Sequence, residues 1–317
     1  MKFVSKLLNN EEPKVTSMPM LPPLDLYMDE VIQGKWYHYV LQFVLEILCL
    51  IPGFSGFMMS RMYGGNAFTR KHGVEIQRNP HIQPRTKMIP VEFTKVETSS
   101  LLKMCKEHNA TVQGAVQTAA GVAMVTMLEA DEFEVESTVT VNIRPFLKSK
   151  VPDHYAGAYF SLLQCKNLIV SSPGANKFWN MARQASSDLH ARLSKNEHFR
   201  LWTKMKAILL MMTRMTNGAP KVDRSGGRNE QLLVFSNLGY ANYLDGSPDD
   251  EVILRAVFGC SAVHQRGSVF NHNIGTFNGK LFWTVVYYSN VVSDATAQTY
   301  ANLVKGTILK AIEEFKD

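Results

Sequence analysis

The chain has 317 residues, of which 45% are hydrophobic and 20% charged, a balance that fits one large globular domain or two lobes and excludes a disordered chain. The formal net charge is +6, which would suit nucleic acid, an anionic surface or a ligand with several phosphates. The densest cationic groups, Arg144, Lys148 and Lys150, then Lys221, Arg224 and Arg228, fall in loops without interleaved aromatics, which argues against a nucleic-acid interface.

Residues 3–8 carry Phe3, Val4, Leu7 and Leu8 on one helical face with no capping residue before them, so the chain reads as starting inside a helix. Residues 11–24 follow as a proline-rich linker, and helices are expected over 25–33 and 36–51. The segment 36–59 is strongly apolar, but His38, Gln42, Glu46 and Pro52-Gly53 interrupt it, leaving nothing near the ~20 apolar residues of a membrane span. A core-packed helix is the first reading of it. A helix lying on a membrane surface, on a partner lobe or on another copy is the alternative. Residues 64–85 read as a linker, dividing a region 1–85 from a region 86–317.

A strand is expected over 87–93, then a helix opened by Glu97-Thr98-Ser99-Ser100 and closed at Asn109, a residue that tolerates the left-handed conformation. Thr111 is a good N-cap for a helix over 112–129, whose small residues, with Gly114 and Gly121, imply close packing against a sheet. Strands at 135–143 and 158–169 and helices over 174–196 and 199–215 come next. After a glycine-rich loop at 217–230, strands are expected at 231–235, 252–259 and 268–276. Asn278-Gly279 is a two-residue hairpin signal leading into a strand at 281–288. Ser293 caps a last helix with Ala297, Tyr300, Val304, Ile308, Ala311, Ile312 and Phe315 on its inner stripe. Strands and helices alternate without strict βαβ regularity, which predicts a mixed α/β (α+β) sheet with helices packed on one side.

The four cysteines, Cys49, Cys105, Cys165 and Cys260, form no CxxC pair and read as free thiols of a reducing, cytoplasmic setting. Cys105 has Lys106 beside it but sits mid-helix, so a nucleophilic role is unpersuasive. No Gly-x-Ser-x-Gly elbow, phosphate-binding loop or His-Glu-x-x-His pair occurs. Asp249-Asp250-Glu251 reads as a solvated turn rather than a metal site.

Three short segments stand out by order and spacing: Val141-Asn142-Ile143-Arg144-Pro145-Phe146, Gly157-Ala158-Tyr159-Phe160 and Phe235-Ser236-Asn237-Leu238-Gly239. With the helix start Thr111-Val112-Gln113, the linker Leu21-Pro22-Pro23-Leu24, the hairpin Thr276-Phe277-Asn278-Gly279-Lys280-Leu281 and Tyr287-Tyr288-Ser289, they resemble the chloramphenicol-acetyltransferase-like superfamily. The similar branch is that of alcohol acetyltransferases and polyketide-associated acyltransferases, related to condensation domains. The resemblance implies a CoA-dependent acyltransferase-like lobe and transfer of an acyl group from a CoA or carrier thioester to an alcohol or amine. Acyl-CoA would be a co-substrate rather than a tightly bound cofactor, and no metal is implied.

That chemistry depends on a His-His-x-x-x-Asp motif whose second histidine removes a proton from the acceptor. None of the nine histidines here is paired or followed four positions later by Asp. The expectation is a chain that begins after that motif, with the first lobe largely missing. His264, in Ser261-Ala262-Val263-His264-Gln265-Arg266, is the one substitute base the sequence offers; His272 and His154 are weaker. Asn142, Arg144, Ser236, Asn237 and Gly239 are the candidate channel residues, with Arg144 expected to pin a strand end by a salt bridge, Asn237 to donate to a thioester oxygen or to backbone, and Gly239 to serve backbone conformation. The competing reading is a non-catalytic binding or scaffold protein on the same fold.

Overall fold

The computed structural model describes residues 21, 24, 27–28, 31, 36–51, 66–74, 85–152, 155, 157–199, 232–241, 254–262 and 268–313. The expected helix at 3–8, most of the linkers at 11–24 and 64–85, the helix after Phe199, the loop 217–230, Asp249–Glu251, Phe315, His154 and His264 lie outside the described residues.

The elements run α1 (Trp36–Leu50), α2 (Ala67–His72), β1 (Thr86–Glu92), α3 (Lys95–Glu107), α4 (Val112–Leu128), β2 (Glu132–Asn142), a 3-10 turn (Arg144–Phe146), β3 (Phe160–Val170), α5 (Ala175–Ser194), β4 (Leu233–Tyr240), β5 (Phe270–Phe277), β6 (Lys280–Tyr288) and α6 (Asp294–Glu313). The six strands form one sheet in the order β1-β6-β5-β4-β2-β3. Neighbours pair antiparallel except at β5–β4 and β4–β2, which are parallel. The sheet is therefore mixed, as the irregular alternation of elements predicts.

Local chemistry sets most boundaries. Thr94 caps α3, accepting from the Glu97 amide at 3.1 Å while the Glu97 carboxylate accepts from the Thr94 amide at 2.6 Å. The helix thus opens at Lys95, two residues before the expected start, because Glu97 is the reciprocal arm of a capping box rather than its beginning. Thr111 Oγ1 accepts from the Gly114 amide at 3.0 Å and Ser293 Oγ from the Thr296 amide at 3.1 Å, as their sequence contexts predict. Asn109 (φ 53°) closes α3, and Asn278 (φ 47°) with Gly279 (φ 71°) makes the β5–β6 turn, whose two left-handed residues match the right-handed twist of the strands.

Helix α4 is buried on all sides from Gln113 to Val125. Its two glycines mark two different approaches. A Cβ at Gly121 would press on Ile169 of β3, the sheet contact expected, but one at Gly114 would collide with Ser186 Oγ and the Ala182 carbonyl of α5. There the close neighbour is a helix, and Ser186 Oγ also accepts from the Thr111 amide at 2.9 Å.

One side of the sheet carries these helices. Inward from it stand Val139, Phe235, His272, Ile274, Trp283 and Val285, all buried. His272 is fully enclosed, stacked on Phe235 with ring centroids 4.7 Å apart. Its Nδ1 accepts from Trp283 Nε1 at 2.8 Å, and its Nε2 lies 3.1 Å from the Tyr300 hydroxyl, which donates to the Ala120 carbonyl at 3.2 Å. With Nδ1 accepting, the neutral ring carries its proton on Nε2 and donates it to Tyr300. One continuous chain of donors therefore runs from β6 through β5 and α6 to α4.

The described part of the expected strand at 252–259 is not a strand: residues 254–262 are irregular and mostly exposed. β5 and β6, the strands it touches, are already paired on both edges, so neither offers it a ladder. It lies as a strap instead, with Phe258 edge-on to Phe282 at 5.3 Å and Ser261 Oγ accepting from Asn273 Nδ2 at 3.4 Å.

Three predictions follow from the packing. Gly114→Ala should destabilise the protein by about 1–3 kcal/mol through overpacking, whereas Gly306→Ala, in exposed mid-helix with open space around a Cβ, should stabilise it by roughly 0.5–1 kcal/mol; thermal melts of both variants check the pair. Tyr300→Phe removes the acceptor for His272 Nε2–H and should cost about 1–3 kcal/mol in urea denaturation. Burial pushes His272 down to about 3. Its folded value lies below the unfolded one of about 6.5, so protons bind the unfolded chain better. The stability from neutral His272 is complete above about pH 6.5 and is lost as pH falls from there, readable as a falling urea midpoint.

Candidate functional site

On the opposite side of the sheet, where no helix packs among the described residues, lies a cavity of about 890 Å³, within the usual size of small-molecule sites. Strand alternation explains its lining. Thr140 and Asn142 of β2 face Leu162 and Phe160 of β3 in register, and Val234 and Ser236 of β4 face Asn271 and Asn273 of β5. All point away from the helices because their in-between neighbours Val139, Val141, Phe235 and His272 point toward them. Residues Gly157–Phe160, Ser261, Ala262 and Ser268 complete the wall.

Of the residues expected at a channel, Asn142, Arg144, Ser236 and Asn237 line this one cavity, while Gly239 does not. Asn142 Oδ1 accepts from the Arg144 amide at 3.2 Å, which holds its Nδ2 free among the described residues. Arg144 Nη2 donates to the carbonyls of Tyr155 at 3.1 Å and Gly157 at 3.2 Å, and the guanidinium lies 4.8 Å from the Tyr159 ring centroid. Among the described residues Arg144 thus fastens the strand end through carbonyls and an aromatic face rather than a carboxylate. Asn237 is committed inward: Nδ2 donates to Gln113 Oε1 at 3.2 Å and Oδ1 accepts from the Gly239 amide at 2.9 Å. Gly239 takes φ +66° with nothing near its missing Cβ, so conformation alone calls for glycine there.

Asn271, Asn273, Thr140 and Ser268 also line the cavity and were not singled out by the sequence. The signal was present in Phe270-Asn271-His272-Asn273-Ile274, where polar and buried residues alternate with a period of two. Ser268 Oγ donates to Asn271 Oδ1 and to the Phe270 carbonyl, turning the Asn271 amide nitrogen outward.

Among the described lining residues Arg144 is the one charged group, and none is a histidine, carboxylate or cysteine. The described histidines lie elsewhere: His272 is sealed behind the sheet, and His72 bonds the Met127 carbonyl at 2.7 Å. His264 is outside the described residues, though Ala262 and Ser268, on either side of its segment, both line the cavity. Burial pushes the thiols of Cys105 up to about 12 and Cys165 up to about 11, which leaves both protonated and inert at neutral pH. No cluster of three or more potential metal ligands occurs among the described residues.

Comparison with solved structures decides the architecture. The chain superposes on the trichothecene 15-O-acetyltransferase TRI3 from Fusarium sporotrichioides with a TM-score of 0.56 at 14% identity, over 78% of this chain and 50% of that one. The fold is that of condensation domains and acyltransferases. Polyketide synthase associated protein 5 from Mycobacterium tuberculosis matches with a TM-score of 0.55 at 11% identity, over 97% of this chain and 67% of that one. The condensation domain of the monacolin K polyketide synthase MokA gives 0.54 at 11% identity, over 99% and 67%. This chain spans half to two thirds of the length of these structures. No protein-family model matches it and no curated protein does. The resemblance read from Thr111, Asn142–Phe146 and Ser236–Gly239 therefore holds at the level of fold.

Outside the cavity lining, His198 is wholly buried between Phe146, at 4.4 Å, and Phe199, at 4.2 Å, and neither ring nitrogen has a partner among the described residues. Burial pushes it down to about 4. His198→Phe keeps the aromatic contacts and removes two unsatisfied polar atoms, so it should stabilise the protein by roughly 1–3 kcal/mol at neutral pH. The gain should grow as pH falls below about 6.5, where the wild-type ring begins to favour the unfolded chain; urea titrations across that range check both.

Proposed function

We propose that this chain supplies the binding wall of an acyltransferase: the cavity on the sheet face opposite α4 holds an acyl thioester, from coenzyme A or a carrier, against an alcohol or amine acceptor. The observation that carries this reading is the composition of the cavity wall. Neutral donors at Asn142, Ser236 and Asn271 are set among Leu162, Phe160 and Val234 on a condensation-domain fold. Such a wall suits an uncharged thioester and an aliphatic chain, and amide donors aimed at a carbonyl stabilise charge that develops on its oxygen. Phosphates would remain outside, in the mild field of a chain of charge +6. Free thiols at Cys105, Cys165 and Cys260 support a reducing, cytoplasmic setting.

Proton removal from the acceptor is assigned to a base beyond the described lining. His264 is the candidate within this chain, because both flanks of its segment reach the cavity. A non-catalytic binding protein is the second reading, favoured by the lack of an ionisable base among the lining residues.

The test is titration calorimetry with a thioether analogue of acetyl-CoA, which cannot transfer its acyl group. Binding should be measurable and should weaken tenfold or more in Ser236→Trp, which fills the cavity, with the fold verified by circular dichroism. Failure of acyl-CoA thioethers of short and long chain to bind would sink the proposal. Turnover is then followed by thiol release with alcohols and amines: transfer lost in His264→Ala supports the internal base, and binding without any transfer supports the second reading.

A further inference from the structure

Helix α1 presents an apolar face that is exposed among the described residues. Trp36 is 72% exposed, Phe43 64% and Leu50 78%, and Val40, Val44, Tyr39, Ile47 and Ile51 are exposed beside them. At 100° per residue these eight side chains occupy an arc of about 140°. They offer roughly 900 Å² of accessible surface, beyond the largest apolar patch of a typical monomer and close to the ~800 Å² that each subunit contributes to a stable interface.

The spacing identifies the occupant. Trp36, Val40, Phe43, Ile47 and Leu50 follow one another at intervals of four, three, four and three, the 3.5-residue repeat by which one helix packs along another. β-Branched Val40 and Ile47 fall at the first core position of each heptad, the residue type that favours two strands there, with Trp36, Phe43 and Leu50 at the fourth. A lipid surface asks for no such repeat, and it favours lysine and arginine around the apolar face. This helix contains neither, and Glu46 is its one formally charged residue. A self-complementary stripe closes on a two-fold axis, which a second identical helix satisfies.

We propose that α1 is a homodimerisation helix, pairing with α1 of a second copy of this chain through Val40, Phe43, Ile47 and Leu50. The pairing is independent of the cavity, which lies on the sheet. Sedimentation velocity over a concentration series should show the full chain moving from one to two times its 35.7 kDa mass. Phe43→Glu and Ile47→Glu should weaken association at least tenfold while leaving far-UV dichroism and cavity ligand binding unchanged, with Ile47→Asn as the milder variant. Hydrogen exchange on the wild-type protein gives a readout that needs no variant: amides of residues 36–50 should gain protection at high protein concentration. A monomer at all concentrations overturns the proposal, as does a dimer indifferent to the substitutions or a dimer whose residues 36–50 gain no protection. Monomeric protein that co-sediments with phosphatidylcholine–phosphatidylserine vesicles, and loses this with Ile47→Glu, overturns it in favour of a membrane surface.

Discussion

The neutral imidazole of His272 holds the fold's layers in register. Its two nitrogens have opposite duties, accepting from Trp283 on β6 and donating to Tyr300 on α6, which passes the chain on to Ala120 on α4. Each member is buried and each depends on the next, so a slip of one residue in β5 would break every link and put a polar ring on the wrong face. A charged ring has no place there, since a second N–H would confront the Trp283 donor. Burial accordingly drives the group far below the ordinary histidine range. The ring's chemistry is thus consumed by structure, which is why a histidine at the middle of the sheet offers no catalytic base.

The same register builds the site. Fixing His272 toward the helices fixes Asn271 and Asn273 toward the open face, and the parallel pairing with β4 sets Val234 and Ser236 beside them. Antiparallel β3 adds Leu162 and Phe160 opposite Thr140 and Asn142. The cavity is therefore a property of alternation across four strands and not of a loop grafted onto the sheet. Position within it is refined by loops: Arg144 ties the turn after β2 to the approach to β3, and the Asn237–Gly239 turn bends the end of β4.

What the sequence reveals and what it withholds divide along physical range. Caps at Thr111 and Ser293, the left-handed Asn109, the Asn278-Gly279 turn and the stripe of α6 all rest on interactions within a few residues, and their signals are local. The Thr94–Glu97 capping box is equally local, but the expectation took its last residue, Glu97, for the start of the helix. Other features depend on who arrives from elsewhere. Asn237 meets Gln113 across 124 positions, Gly114 meets α5 rather than the sheet, and Phe258 meets Phe282 of β6, a strand already paired on both edges. An alternating pattern reports that one face is apolar; it does not report whether that face joins a ladder or lies across one. The asparagines of β5 were legible as a pattern, yet their importance comes only from sharing a wall with Asn142 and Ser236.

Binding and chemistry are separable on this fold. The wall contributes hydrogen-bond donors and apolar surface, which orient a thioester and an acceptor, whereas the proton must go to a group with a pKa near neutrality. No described lining residue has one. The described interior has two imidazoles, His198 and His272, but neither lines the cavity and burial holds both neutral. Evolution of activity on such a wall would require a base on a facing element, close enough to share the cavity but solvated enough to titrate. A base set into the sheet itself would be dried out by the same packing that makes the wall rigid.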